Sequence, residues 1–175
     1  MPKSKYTPSG WLNFTFLLTT ILVVILDQWS KAWIRANLAP NESIPAEGFF
    51  RLTHVKNSGA IFGLFPNHTE AMIIGASIGI VLLLFIALFA SRWFPLLNTW
   101  VAKIALGLIL GGTIGNLIDR VRFGYVTDFI DIGIWPTFNL ADSSVVVSII
   151  ILLSYLLYLA KSGELSDGKD TYLHG

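Results

Sequence analysis

Two stretches of this chain are compatible with little except a lipid environment. Ala71 to Ala90 runs 20 residues without a charge, and Ser143 to Ala160 runs 18. At about 1.5 Å of rise per residue, a helix of that length spans most of a hydrocarbon core of about 30 Å. Both runs are therefore read as transmembrane helices. Two further candidates are less uniform. Trp11 to Leu26 ends at Asp27, and Leu96 to Ile118, interrupted near its start by Lys103, ends at Asp119. A cleaved signal peptide is the alternative for the first, with Lys3 and Lys5 as its basic start. No small-x-small cleavage site precedes Asp27, so it is read as a retained helix and the count as four spans.

Composition agrees and narrows the function classes. The chain is 54% hydrophobic with a mean hydropathy of +0.66, and only 13% of its residues are charged, too few to cover a soluble domain. Net charge is +1 with no basic tract, which speaks against nucleic acid as a partner. There is no cysteine, which removes disulfides, thiolate catalysis and thiolate metal ligands together. His54, His68 and His174 lie in separate segments without ligand spacing, so a metal site is not expected. Without repeats or low-complexity runs, residues 1–161 read as a single four-helix membrane domain and 162–175 as a polar, disordered cytoplasmic tail.

Four spans put both termini on one side. Lys3, Lys5, Arg92, Lys103, Lys161 and Lys169 then face Lys31, Arg35, Arg51, Lys56, Arg120 and Arg122 across the bilayer, an even division that leaves the charge rule without a vote. The lysines near the start favour a cytoplasmic N-terminus. On the other side lie two segments. In the first, Phe49 to Lys56 alternates apolar and polar residues as a half-buried strand does, Asn57-Ser58-Gly59 reads as a turn, and Ala60 to Phe65 is apolar enough to lie at the membrane interface as a flap. Phe123 to Leu140 is the second. The expected fold is an integral membrane, mainly α protein, with four transmembrane helices, a small extracytoplasmic β-sheet and an interfacial flap.

The polar residues carry the chemistry. Asp128 and Asp142 stand at the edge of this apolar chain, where a carboxylate is costly and a functional role is the default reading. Two such groups face to face can share a proton and activate water, as in aspartic proteases. Spacing alone leaves Asp128 and Asp131 as competing partners for Asp142. Asp142 also stands where the fourth helix begins, with Asn139, Ser143 and Ser144 as cap residues, so a simple helix cap is its bland reading. Asp27 and Lys31 are four apart and can pair on one helix face. Gly107, Gly111 and Gly115 form a small-residue face that invites close helix packing. Asn116 and Arg120 share another face, suited to capping or to binding substrate carbonyls, and Asp119 is expected to be held ionised by Arg120 and Arg122.

Taken in order, Asp27-Gln28-Trp29-Ser30-Lys31, Asn57-Ser58-Gly59-Ala60-Ile61-Phe62-Gly63, Gly111 through Arg120, Val126-Thr127-Asp128-Phe129 and Phe138-Asn139-Leu140-Ala141-Asp142-Ser143 resemble the lipoprotein signal peptidases, the type II signal peptidases of bacteria. The resemblance spans Leu12 to Ala160. It implies a cofactor-free aspartic endopeptidase of the bacterial inner membrane, with both termini cytoplasmic and the active site near the outer face; a monomer is the expectation, which the sequence itself leaves open. Its implied substrates are diacylglyceryl-modified prolipoproteins, cut just before the lipidated cysteine, and its other partner is membrane lipid. By motif, Asp128 and Asp142 are the dyad and Asp131 matches no catalytic position. Asn57, Asn116, Arg120 and Asn139 are implied to position substrate or brace the dyad, and Asp27, Lys31 and Asp119 to support it. A proton-coupled transporter is the rival reading, yet it predicts ionisable residues or broken helices at mid-membrane, and the second and fourth spans are uninterrupted.

Overall fold

The computed structural model describes residues 9–59, 69–89 and 93–162. The interfacial flap expected at 60–65 and the tail after 162 lie outside the described residues. Four long helices form the bundle: α1 (Ser9–Asn37), α2 (Thr69–Leu88), α3 (Trp100–Phe123) and α4 (Leu140–Ser162). Each is long and apolar enough to cross a membrane. Outward faces are apolar and exposed, with Ile21, Ile78, Val81, Ile150 and Leu157 among them, as a helix bounded by lipid requires.

At the centre of the bundle stands α3, packed against each of the other three helices. Glycine makes this possible. A Cβ on Gly107 would come within 2.8 Å of the Phe16 carbonyl, one on Gly111 within 2.6 Å of Val23 Cβ, and one on Gly115 would collide with the Asp27 carboxylate. The expected small-residue face is therefore the α1–α3 seam. On the opposite side of α3, Gly112 lies close against the Ala141 carbonyl and Ser144 Oγ of α4.

The first helix outruns its apolar span. Beyond Leu26 it continues to Asn37, because Asp27, Lys31 and Arg35, each four residues from the next, fall on one face that turns inward, while Trp29 and Trp33 remain exposed outside. At the other end of the bundle, the third span starts later than the hydropathy suggested. Residues 95–97 make a 3₁₀ turn, Thr99 caps α3 by accepting from the Ala102 N–H, and the helix runs on to Phe123. Gly124, at φ +78°, then reverses the chain into the sheet.

Three antiparallel strands lie in the order β1 (Ser43–Ile44), β2 (Arg51–Asn57) and β3 (Val126–Asp131). Arg51 pairs with Asp131, while Val55 pairs with Asp128 and Asn57 with Val126, so β2 holds one extra residue between Leu52 and Val55. At this bulge Thr53 and His54 are both buried, which interrupts the alternation the sequence suggested. The strand β3 gave no alternating signal because it is buried on nearly every side chain. Its second edge is covered too: Phe138 accepts from the Phe129 and Ile130 N–H groups and donates to the Ile130 carbonyl. This bridge delivers the chain to α4 beside Asp128. The Thr69 hydroxyl donates to the Gly124 carbonyl, joining the start of α2 to the same end of the bundle.

Candidate active site

The site lies where the C-terminal ends of α1 and α3, the strands β2 and β3, and the N-terminus of α4 meet. Asn139 is the cap of α4, and its side-chain oxygen accepts the Asp142 N–H at 2.9 Å while Asp142 Oδ2 accepts the Asn139 N–H at 3.3 Å. That reciprocal pair is a capping box built from asparagine and aspartate. The expected cap is thus real, but it does not exhaust the two side chains. Asn139 Nδ2 donates to Asp128 Oδ1 at 2.7 Å and to Asn116 Oδ1 at 3.1 Å. One amide therefore ties Asp128 to the helix start that carries Asp142.

Each carboxylate has a second amide of its own. Asn57 Nδ2 donates to Asp128 Oδ2 at 2.8 Å, and Asn116 Nδ2 donates to Asp142 Oδ1 at 2.9 Å. Asn57 also accepts the Gly59 N–H, so the turn and the site use the same residue. Arg120 reaches the Gly59 carbonyl at 3.5 Å and lies in the electrostatic field of Asp142, Asp128 and Asp119. Burial pushes the Asp128 carboxyl up to about 7, and the neighbouring charge of Asp142 adds to the effect against the amide hydrogen bonds of Asn57 and Asn139. Among the described residues, Asp128 is the carboxyl outside the spans that is held toward its acid form.

Asp131 is placed elsewhere. It accepts the Gly133 N–H at 2.8 Å, pairs with Arg51 at 2.6 Å and accepts from Thr53, and these contacts hold it below the ordinary carboxylate range. The two aspartates that share an asparagine are Asp128 and Asp142.

Behind them lies a buried ionic layer. Lys31 Nζ stands 2.8 Å from Asp27 Oδ2, 2.8 Å from Asn116 Oδ1 and 3.8 Å from Asp119 Oδ2, and the side chains of Lys31, Asp27 and Asp119 are fully excluded from solvent. Asp119 corrects one expectation. Its ion pairs are with Arg35, at 3.4 Å, and Lys31, because α3 turns residue 119 toward α1; of the two expected cations, Arg120 shares its electrostatic field without pairing with it. Arg35, Gln28 and Thr127 were not singled out from the sequence. Gln28 donates to the Gly115 carbonyl at 3.0 Å, and Arg35 donates to Thr127 Oγ1 at 2.9 Å. The four-residue repeat Asp27, Lys31, Arg35 was the available signal for the second of these.

This architecture belongs to a class already seen in multi-pass membrane enzymes. Two solved structures, described as bacterial membrane enzymes determined by the in meso method at 2.3 and 1.9 Å resolution, align with TM-scores of 0.73 and 0.69. They are 30% and 31% identical in sequence and cover 85% and 82% of this chain, and 90% and 92% of their own. The sequence comparisons are more particular. The family model described as signal peptidase (SPase) II matches residues 19–158. A lipoprotein signal peptidase of Dehalococcoides mccartyi is 48% identical over 158 residues, which is 90% of this chain and 97% of the relative. One from Moorella thermoacetica is 50% identical over 143 residues, 81% of this chain and 92% of the relative. The chain belongs to the signal peptidase II family and is a multi-pass membrane peptidase.

Proposed function

We propose that this protein is an aspartic endopeptidase that removes the signal peptide of diacylglyceryl-modified prolipoproteins, cutting just before the lipidated cysteine, with Asp128 and Asp142 as its dyad. The carrying observation is the single Asn139 side chain, which holds Asp128 through its amide while its oxygen caps the N–H of Asp142. Relatives named lipoprotein signal peptidase support the substrate class. The bundle is proposed to lie in the bacterial cytoplasmic membrane with both termini inside and the dyad near the outer face.

In this reading one carboxyl of the pair is protonated, and Asp128, raised to about 7, is the one suited to that state. Asp142 takes a proton from water as the water oxygen attacks the scissile carbonyl carbon, and Asp128 gives its proton to the carbonyl oxygen. Collapse of the resulting diol returns one hydroxyl proton to Asp128, and Asp142 passes its proton to the departing amide nitrogen. Both carboxyls are then restored. Asn57, Asn116 and Asn139 hold the carboxyl oxygens in place, and Arg120 offers a cation beside them for a peptide carbonyl.

The test is cleavage of a lipidated prolipoprotein peptide by purified protein in detergent. Asp128→Asn and Asp142→Asn are each expected to lose turnover by at least about 10³-fold with nearly unchanged expression. Asp131→Asn is expected to keep most of it. A working Asp128→Asn enzyme beside a dead Asp131→Asn enzyme would transfer the role to Asp131.

A further inference from the structure

The peptide N–H that immediately precedes each dyad residue ends on a buried carboxylate. The Thr127 N–H, before Asp128, donates to Asp119 Oδ2 at 2.9 Å, and the Ala141 N–H, before Asp142, donates to Asp27 Oδ1 at 3.0 Å. These two carboxylates come from different helices, α3 and α1, and reach different elements, β3 and α4. What they share is Lys31, at 2.8 Å from Asp27 and 3.8 Å from Asp119, together with the neutral Gln28 amide, which donates to Asp27 Oδ2 at 3.2 Å and to Asp119 Oδ1 at 3.4 Å. The remaining contact of Lys31 is Asn116, whose amide nitrogen goes on to Asp142.

We propose that Lys31 with Asp27 and Asp119 is a two-armed positioning device that fixes where Asp128 and Asp142 stand relative to one another, each arm holding the backbone one residue before a dyad aspartate. The proposal rests on the dyad assignment above and goes beyond a fold-stabilising role for the three residues.

The arms have no slack. Gly115 lies against Asp27 with no room for a Cβ, so the carboxylate cannot retreat toward α3. Asp119 is fixed from its other side by Arg35, which also grips the Thr127 hydroxyl and lies 4.5 Å above the Phe123 ring. A buried ion triad is a weak source of stability, since the cost of desolvating its charges offsets most of their attraction. Its proposed role is geometric, since the charges admit few arrangements in which all three are satisfied. The charge also reaches the dyad: Lys31 lowers the proton affinity of Asp128, against Asp142, which raises it, and with Arg120 as the cation facing it from α3.

The experiment measures kcat, KM, the pH profile and thermal stability of Lys31→Met and of Asp27→Asn with Lys31→Met, using the lipidated peptide in detergent. The side chain of Asp27→Asn still offers an oxygen to the Ala141 N–H, so the double variant restores charge balance while losing the charged link between the arms and keeping only the neutral Gln28 amide across them. A loss of roughly 10²-fold in kcat with KM nearly unchanged is expected in both, together with a shift of the alkaline limb to higher pH. Stability is expected to fall in the single variant and to recover in the double. If activity recovers together with stability, and the limb stays at the parent position, the triad only supports the fold and the proposal is overturned. Should Lys31→Met not fold, the double variant decides alone; Asp119→Asn, which keeps an acceptor for Thr127 while losing its charge, gives the second arm, and parent kcat in it would also overturn the proposal. Turnover by Asp128→Asn or Asp142→Asn, run in parallel, would instead remove the dyad reading itself.

Discussion

Asp128 carries a pH signature that can be read twice. Its carboxyl is raised to about 7 by burial and by Asp142, from 3.8 in solvent. If its proton is needed for catalysis, kcat/KM should fall as pH rises through about 7, and Asp131→Asn should leave that limb unmoved. The same shift acts on stability. A carboxyl that holds its proton more tightly when folded contributes stability present in full below pH 3.8 and lost as pH rises through about 7. Thermal midpoints measured at pH 5 and pH 8 should therefore separate in the parent and converge in Asp128→Asn, and equal separations in the two proteins would reject the raised carboxyl. Much of this residue-level site was legible in the sequence: Asp128, Asp142 and Asn139 stand out as polar groups at an apolar edge. Spacing alone leaves Asp131 in competition and only the motif resemblance sets it aside; its contacts with Arg51 and Gly133, which register and a turn bring to it, could not be read from the chain. The partners of Asp119 differ from the expected ones for a similar reason, since adjacency in a helix places Arg120 about 100° away around the axis.

The start of α4 combines a cap with the site, and substitution can separate the two roles. Asn139→Ala should cost about 1 kcal/mol as a lost cap and far more in turnover, because the amide to Asp128 and Asn116 is lost with it. Asn139→Ser keeps a capping oxygen and lacks the amide, so its thermal midpoint should return toward the parent while its kcat does not. Recovery of both would mean that Asn139 serves α4 alone. At this scale the four helices were legible from their apolar runs, with ends displaced by a few residues wherever a polar face is covered, as on α1 beyond Leu26. The sheet was half legible. Of its strands only β2 carries an alternation and a closing turn signal; β1 is two residues long, too short for a pattern, and β3 lies between β2 and the Phe138 bridge with no wet face to create alternation.

At the scale of the whole molecule, the site-bearing end of the bundle gathers the sheet, Gly124 and the start of α4, and the opposite end carries Thr99 and the last turn of α4. Lys103 belongs to that opposite end: fully buried, it donates to Asn13 Oδ1 at 3.0 Å and to the Ala87 carbonyl, joining α1, α2 and α3. A cation counted with the terminal-side charges is thus part of the bundle interior. The absence of native cysteine makes a direct measurement clean. Under the proposed orientation, cysteine at the exposed Glu47 should react with a membrane-impermeant thiol reagent on intact cells, and cysteine at Ser162 only after permeabilisation. The inverse pattern would turn the dyad toward the cytoplasm and end the reading as an enzyme for exported substrates.

The bare backbone at Gly115 reserves space for a charge. Whatever is added there displaces the Asp27 carboxylate, while methyl groups at Gly107 and Gly111 would collide with backbone carbonyls and β-carbons of α1. A deep mutational scan read by activity should consequently rank Gly115 among the acidic and basic positions, intolerant even of alanine. Gly75 and Gly79 on α2, where an added methyl would meet nothing within 4 Å, should accept alanine freely. Gly115 would then report on a buried charge through a residue that carries none.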